Sequence, residues 1–318
     1  MGFWREFIDV PPIDSLNPSY LDRSPEVSNS QITFSNLIHT VAFYFQDLIA
    51  VTPQFDLLGS VRYQEIDVRS EFLGSTVEQD SNPVTYQIGG AYHFIDPLTL
   101  FAGYGTGLDL DNVLGVVSPS GPIAPEESEQ IEAGVKLDFP WGMTGTLSYF
   151  NITHSNVATT DPANPDFQIP AGEEQSEGAE IELAWQVNDN LFLQGGYAFI
   201  DAEITESNDF PVGGRLEDVA EHQATFWGRY LFTSGPLRNL SLSVGANYVG
   251  ERAGTLSNTF ELPDYVTVDL AAAYRWKNFK VELIAQNVGD EEYFTSGNDF
   301  SVQPGEPRLV FGRIGVEF

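Results

Sequence analysis

The residues best suited to acid–base chemistry or metal binding are four histidines, and they are scattered. His39, His93, His154 and His222 lie far apart with no H-x-x-x-H spacing, so no catalytic or metal role is read from them. Cysteine is absent, which excludes disulfides, thiolate metal sites and a cysteine nucleophile. Asp109-Leu110-Asp111-Asn112 has the carboxylate rhythm of a calcium loop but lacks its glycine and distal glutamate, and reads as a solvated loop. No catalytic constellation appears, so the chain is read as a non-enzyme without a cofactor. Contacts for a ligand belong to long loops and a polar wall, where Tyr44, Arg62, Arg215 and Trp227 stand out, although each also suits a plain wall position.

Charge narrows the partners. The chain carries 46 Asp and Glu against 14 Lys and Arg, a net charge of −32. A nucleic-acid surface needs clustered cations, so no nucleic-acid partner is expected. The acidity reads first as solvation of long polar loops and second as a field that draws cations. No apolar run reaches the length of a membrane-spanning helix. Mean hydropathy of −0.15 at 42% hydrophobic residues suits strands that alternate, because alternation averages hydropathy away.

That alternation organises the chain. Val266, Val268, Leu270, Ala272, Tyr274 and Trp276 share one face of an extended segment; Tyr265, Thr267, Asp269, Ala271, Ala273 and Arg275 share the other. Lys277-Asn278 turns the chain, and Phe279, Val281, Leu283 and Ala285 resume the apolar face against Lys280, Glu282 and Gln286. Similar segments recur about thirteen times from residue 35. Ile131 to Phe139 and Ala179 to Val187 are the cleanest, whereas 190–203 is blurred by Phe192 and Ile200. Residues 1–34, rich in Pro, Ser, Asn and Asp, read as an irregular segment, the remnant of an extracellular loop. Met1 to Asp9 has neither the basic nor the apolar region of a signal peptide.

The connections alternate in length. Short turns fall at Asp96-Pro97, Pro140-Trp141-Gly142, Asn188-Asp189-Asn190, Ser234-Gly235-Pro236 and Lys277-Asn278. Between them lie long polar loops near 67–82, 106–127, 153–175, 204–219, 251–263 and 289–306. Outer-membrane barrels pair short periplasmic turns with long extracellular loops, so the pattern assigns sidedness. Phe139, Trp141, Trp185, Phe232, Trp276, Phe279 and Phe318 gather at the short-turn ends, as a membrane-interface girdle would. Tyr104, Tyr149, Tyr197, Phe199, Tyr248 and Tyr265 mark the other end. A soluble carbohydrate-binding β protein would place its bulky rings mid-strand. The fold expected is all-β, an antiparallel transmembrane β-barrel in contact with outer-membrane lipid.

Several segments resemble TonB-dependent siderophore receptors. Leu262-Pro263-Asp264-Tyr265-Val266-Thr267-Val268-Asp269-Leu270 is similar to a strand opening near that family's end. Gln286-Asn287-Val288-Gly289-Asp290-Glu291-Glu292-Tyr293 resembles its N-L-F-D-x-x-Y segment, with Gly289 in place of Phe. Gly172 to Glu182 and Pro125 to Lys136 resemble its G-E-x-x-S-x-G-x-E-x-E and E-x-x-x-x-E-x-G-x-K strands. Gly213-Gly214-Arg215-Leu216 through Ala224 resembles a G-x-R-L-x-x-x-P-x-H segment, with Ala220 for Pro. The resemblance covers residues 35–318. It implies TonB-dependent uptake of ferric siderophores across the outer membrane of a Gram-negative cell, with the ferric siderophore as transported ligand. It also implies a barrel of about 22 strands with a plug domain. The TonB complex would be a partner of the full-length receptor, and barrel-assembly machinery would read the terminal strand. Nothing here resembles the plug, and thirteen strands are an odd number where bacterial barrels have even ones. The expectation is therefore a partial barrel, the C-terminal portion of a receptor over 35–318; the alternative is a self-contained passive porin-like or adhesin-like barrel.

Overall fold

The computed structural model describes residues 7–8, 27–28, 34–72, 75–110, 124–298 and 300–317. A short pair, β1 (Phe7–Ile8) with β2 (Val27–Ser28), is the described part of the irregular N-terminal segment; its remainder lies outside the described residues. Phe318 lies outside them too.

The main sheet begins with β3 (Phe34–Thr52), β4 (Phe55–Phe72), β5 (Ser75–Ser81), β6 (Val84–Ile95) and β7 (Leu98–Asp109). It continues through β8 (Glu126–Phe139), β9 (Met143–Thr160), β10 (Gln168–Gln186), β11 (Leu191–Glu206), β12 (His222–Leu231) and β13 (Leu240–Val249). It ends with β16 (Tyr265–Trp276), β17 (Phe279–Gln286) and β20 (Leu309–Val316). Between these, β14 (Arg252–Ala253) pairs with β15 (Glu261–Leu262), and β18 (Phe294–Asn298) pairs with β19 (Ser301–Pro304).

Every pairing in the large sheet is antiparallel and joins neighbours along the chain. β5 and β6 lie along the same edge of β4, beside Ile66–Phe72 and Phe55–Tyr63 respectively. They are one strand broken at Asn82-Pro83, where proline cannot donate to the ladder. Counting them once, thirteen strand positions cross the sheet, as the periodicity predicts.

The described sheet is open, with β3 at one edge and β20 at the other. Because up and down strands alternate and the count is odd, both edge strands run from the long-loop side to the short-turn side. On β3, Phe43, Tyr44 and Phe45 are 71, 75 and 65% exposed on alternating faces, because among the described residues a strand, β4, pairs with them along one side only.

Across the middle of the sheet the outward face is apolar and uncovered: Ile131, Leu147, Val244, Leu270, Leu283 and Ile314 are all exposed. In water such an area is an aggregation liability; against acyl chains it is matched. A soluble protein of this length would bury a sizeable core, yet among the described residues only eight apolar ones are buried. Seven of these (Ile66, Val68, Ala202, Ile204, Ala220, Ala253 and Leu262) lie on the long-loop side, and Phe150 borders it.

The structure corrects the long loops. Polar stretches read as loop over 67–82 and 153–175 are largely strand: β4 reaches Phe72, β5 answers it, β9 reaches Thr160 and β10 starts at Gln168. Above the membrane both faces of a strand meet water, so hydrophobic alternation fades while backbone pairing continues. The loop near 106–127 lies mostly outside the described residues.

Candidate functional site

The candidate site is the polar face of the sheet together with the loops folded over its upper end. Alternation places Asp56, Arg62, Lys136, Glu180, Glu182, Arg229, Asp269 and Glu282 on the face opposite the apolar one, which is the inside of a barrel. The cations are unevenly placed along it. Seven of the 14 lie toward the short-turn side: Lys136, Arg229, Arg238, Arg275, Lys277, Lys280 and Arg313. Among the described residues, Arg69, Arg215, Arg252 and Arg308 belong to the long-loop side, where acidic residues crowd.

Three long connections, 207–221, 250–264 and 287–308, interlock into a cap. Asp218 donates its amide to the Ala253 carbonyl at 2.9 Å and accepts the Gly297 amide on Oδ1 at 2.9 Å. Asn258, held at φ 52°, accepts the Arg215 amide on Oδ1 and returns Nδ2 to the Arg215 carbonyl, both at 2.9 Å. Arg215 donates Nη2 to the Glu251 carbonyl at 2.8 Å, with Glu221 at 3.8 Å. Arg252 is 2% exposed; its guanidinium donates to the Phe294 carbonyl and lies over the Tyr265 ring at 5.5 Å. Tyr265 in turn packs against Tyr293 with centroids 4.2 Å apart. Gly254 is required where the Phe260 ring crosses it, since a Cβ there would fall 2.1 Å from that ring.

Asn287 anchors the third connection to the sheet. It takes a left-handed φ of 46°, donates its amide to Asp269 Oδ1 at 2.8 Å, and donates Nδ2 to the carbonyls of Glu291 and Glu306 at 2.9 and 3.1 Å. The family-like segment Gln286 to Tyr293 is therefore a structural clamp. A second clamp joins 207–221 to the end of β9: Asp209 Oδ2 accepts the Thr160 amide at 2.8 Å and the Thr159 hydroxyl at 3.1 Å. Desolvation pushes the Asp209 carboxyl up, but these hydrogen bonds outweigh it and hold its pKa below the ordinary value. Glu251 is shifted the other way, upward, by sharing a hydrogen bond with Glu261 and by that neighbour's charge.

Among the described residues, hollows open on the polar face. Under the cap, a cavity of 440 Å³ is lined by Gly107, Asp109, Ser128, His154, Glu174 and Leu216 among others. His154 Nε2 lies 3.0 Å from the buried carboxylate of Glu126. Burial raises the pKa of Glu174; the nearby His154 opposes that shift and Glu217 adds to it. Tyr44 and Arg62 meet in a second hollow of 280 Å³ with Gln46, Ser60, Thr85 and Gln87. Trp227 lies in a third, of 610 Å³, near the short turns. Of the four side chains singled out in the sequence, the structure thus brings Tyr44 and Arg62 together, sets Trp227 apart, and commits Arg215 to the cap. The His154–Glu126 pair and buried Arg252 gave no motif to find, because their partners come from other strands.

The aromatics of the short-turn ends pack against one another. Phe139 stacks on Trp141 at 5.1 Å, Trp141 meets Trp185 edge-on at 5.4 Å, Tyr230 meets Phe232 at 4.9 Å, and Trp276 stacks on Phe279 at 6.2 Å.

Residues 2–288 match the family model described as TonB dependent receptor-like, beta-barrel. The metal-pseudopaline receptor CntO of Pseudomonas aeruginosa is 34% identical over 308 residues, covering 93% of this chain and 43% of that protein. The ferrichrome outer membrane transporter/phage receptor of Escherichia coli is 29% identical, covering 92% of this chain and 40% of its own length. In structure, the siderophore receptor PiuA of Acinetobacter baumannii superposes with a TM-score of 0.82 at 24% identity, over 95% of this chain and 46% of that one. The chain thus spans less than half the length of these relatives. By its matched residues, its open antiparallel sheet and its long-loop cap, the chain belongs to the β-barrel family of TonB-dependent receptors.

Proposed function

We propose that this chain is barrel wall and extracellular cap of an outer-membrane receptor that takes up ferric siderophores with energy from the TonB complex. The observation that carries the reading is the division of the sheet: an apolar outward face, a polar inward face, and a cap built from three long connections above that inward face. A chelate entering from outside meets the cap and then the hollow under it, lined by His154 and Glu174. The relatives named above as receptors for metal-pseudopaline and ferrichrome support this substrate class. The aromatic clusters at Phe139, Trp141, Trp185, Phe232, Trp276 and Phe279 would seat the wall at the periplasmic lipid interface.

The passive porin-like alternative meets a geometric obstacle. Both free edges run in the same direction, so closing β20 onto β3 makes a parallel pair between strands of 8 and 19 residues. Antiparallel closure needs an odd number of further strands, which lipid-exposed edges demand because lipid cannot satisfy open N–H and C=O groups. The test is a chimera in which residues 35–318 replace the matching portion of the Escherichia coli ferrichrome transporter. Iron-starved cells lacking their own receptor should accumulate radioiron supplied as a siderophore complex, and lose that uptake when TonB is deleted. TonB-independent uptake, or ion conductance by the chain alone in planar bilayers, would favour the porin reading.

A further inference from the structure

The cavity of 440 Å³ under the cap is one-sided in charge. Asp109 at the end of β7 and Glu174 on β10 line it, and among the described residues no lysine or arginine does. Its one basic group, His154, has Nε2 3.0 Å from the buried Glu126 carboxylate, so a proton on that imidazole is matched within the wall. The arginines of the long-loop side are engaged elsewhere. Arg69 pairs with Glu78 at 3.4 Å, Arg308 with Asp290 at 3.2 Å, Arg215 donates to the Glu251 carbonyl at 2.8 Å, and Arg252 donates to the Phe294 carbonyl. Arg62 lines the separate hollow beside Tyr44. Glu174 is half-buried and accepts no hydrogen bond among the described residues; His154 is near enough to attract its charge, and Glu217 near enough to repel it. A carboxylate drawn from water without a donor gains from whatever brings one.

We propose that this cavity sorts chelates by charge, admitting ferric complexes of zero or positive net charge and turning away anionic ones, with Glu174 setting the sign. The inference rests on the reading of the chain as part of a ferric-siderophore receptor and adds the class of chelate. Three hydroxamates cancel the charge of ferric iron, and an ammonium on the same molecule makes the complex a cation. Three catecholates leave an excess of three negative charges, which Asp109 and Glu174 repel. An ammonium or amide N–H on a hydroxamate chelate supplies the donor that Glu174 lacks. Leu108, Ile152 and Leu216 in the same lining offer its methylene spacers an apolar surface. The field of the whole chain, at net charge −32, has the same sign and draws cationic complexes toward the cap.

The test uses one chelator in three charge states: a linear trihydroxamate ending in a primary amine, its N-acetyl derivative and its N-succinyl derivative. Their ferric complexes are cationic, neutral and anionic around the same iron centre. A ferric tricatecholate is the fourth probe. The chimera carrying residues 35–318 in the Escherichia coli ferrichrome transporter is expressed in iron-starved cells lacking other siderophore receptors. Radioiron binding is read on ice, and TonB-driven uptake on warming. Binding should fall in the order cationic, neutral, anionic. Glu174→Gln should narrow the ratio of cationic to anionic binding by about fivefold to tenfold, the effect of one charge removed beside a partly screened site. Asp109→Asn should narrow it in the same direction, so a Glu174 variant that fails to assemble does not end the test. Asp201→Asn, on the outward face of β11, removes an equal charge outside the cavity and should leave the ratio unchanged. Equal or better binding of the anionic derivative or of the tricatecholate overturns the proposal. A ratio unchanged by both cavity variants, or shifted as far by Asp201→Asn, overturns it as well. Absence of binding by every ferric complex overturns the siderophore-receptor reading itself, and this inference with it.

Discussion

The same strands are held in two ways along their length. Between the two aromatic ends they have a polar inside, an apolar outside and almost no buried side chains; the backbone ladder and the lipid hold them. Above the Tyr149 and Phe199 level, β4, β5, β9, β10 and β11 continue into water and acquire what a soluble protein has: a small apolar core, clamped loops and buried polar pairs. Ile204 and Leu262, both 2% exposed, belong to this upper region, whereas Leu270 in the lower region is 47% exposed. The wall is therefore sensitive to what faces lipid or crosses a ladder, and the cap to what is buried.

The largest effect is expected where the wall's ladder leaves no room. A Cβ on Gly178 of β10 would sit 2.2 Å from the Phe199 carbonyl and 2.8 Å from the Phe150 ring. In the chimera with the Escherichia coli ferrichrome transporter, Gly178→Val should abolish the heat-modifiable folded band on cold gel electrophoresis, since overpacking at fixed backbone costs about 3 kcal/mol or more. Normal insertion of this variant would show that the ladder tolerates local separation.

Next comes the polarity of the outward face. Leu270→Arg, at mid-strand, should lower unfolding stability in bilayers by about 2–4 kcal/mol, measured by urea titration of tryptophan emission. The same arginine at Asp201, above the Phe199 ring, should cost less than about 0.5 kcal/mol. Equal costs at the two positions would erase the boundary between the regions.

The cap responds to a different kind of change. Arg252→Leu leaves the Phe294 carbonyl without its guanidinium donor and removes the cation over Tyr265. It should destabilise the cap by about 2 kcal/mol. Hydrogen exchange at Ala253, Gly254 and Gly297 should speed up accordingly, while β16 and β17 amides stay protected. Loss of protection in both regions would mean that wall and cap fold as one unit.

This division also explains what the sequence made legible. Lipid imposes strict alternation, so β16 from Tyr265 to Trp276 and the turn at Lys277-Asn278 could be read directly. The turn's left-handed φ of 53° at Lys277 could not be read from that residue type. Above the membrane the constraint is gone. The extensions of β4, β9 and β10 hid in polar sequence, and the cap hid because its contacts join residues far apart, such as Asp218 with Gly297 and Arg215 with Asn258. Tyr44 and Arg62 came together because β3 and β4 form a simple hairpin, pairing these two residues directly. His154 and Glu126 escaped because their contact depends on the register of β8 against β9.

The smallest effect separates the two regions by pH. Asp209 ties the 207–221 connection to Thr159 and Thr160, and its folded pKa lies below the ordinary 3.8. A carboxylate with a depressed folded pKa contributes stability that is complete above its unfolded value and is lost as pH falls through the folded one. Proteolysis or hydrogen exchange of 207–221 should therefore accelerate only below about pH 4. Glu251 acts in the opposite sense: its raised pKa disfavours the cap at neutral pH and is relieved by protonation as the pH falls toward its folded value. As the pH falls from neutrality toward that raised value the cap should tighten slightly, and below about pH 4 it should loosen at the Asp209 clamp. Asp209→Asn keeps one acceptor oxygen and removes the charge, so it should cost about 1 kcal/mol at neutral pH and abolish the loosening below pH 4. Persistence of that acid step in the Asn variant would assign it to other carboxylates of the cap, while an unchanged wall signal over the same range would keep the two regions distinct.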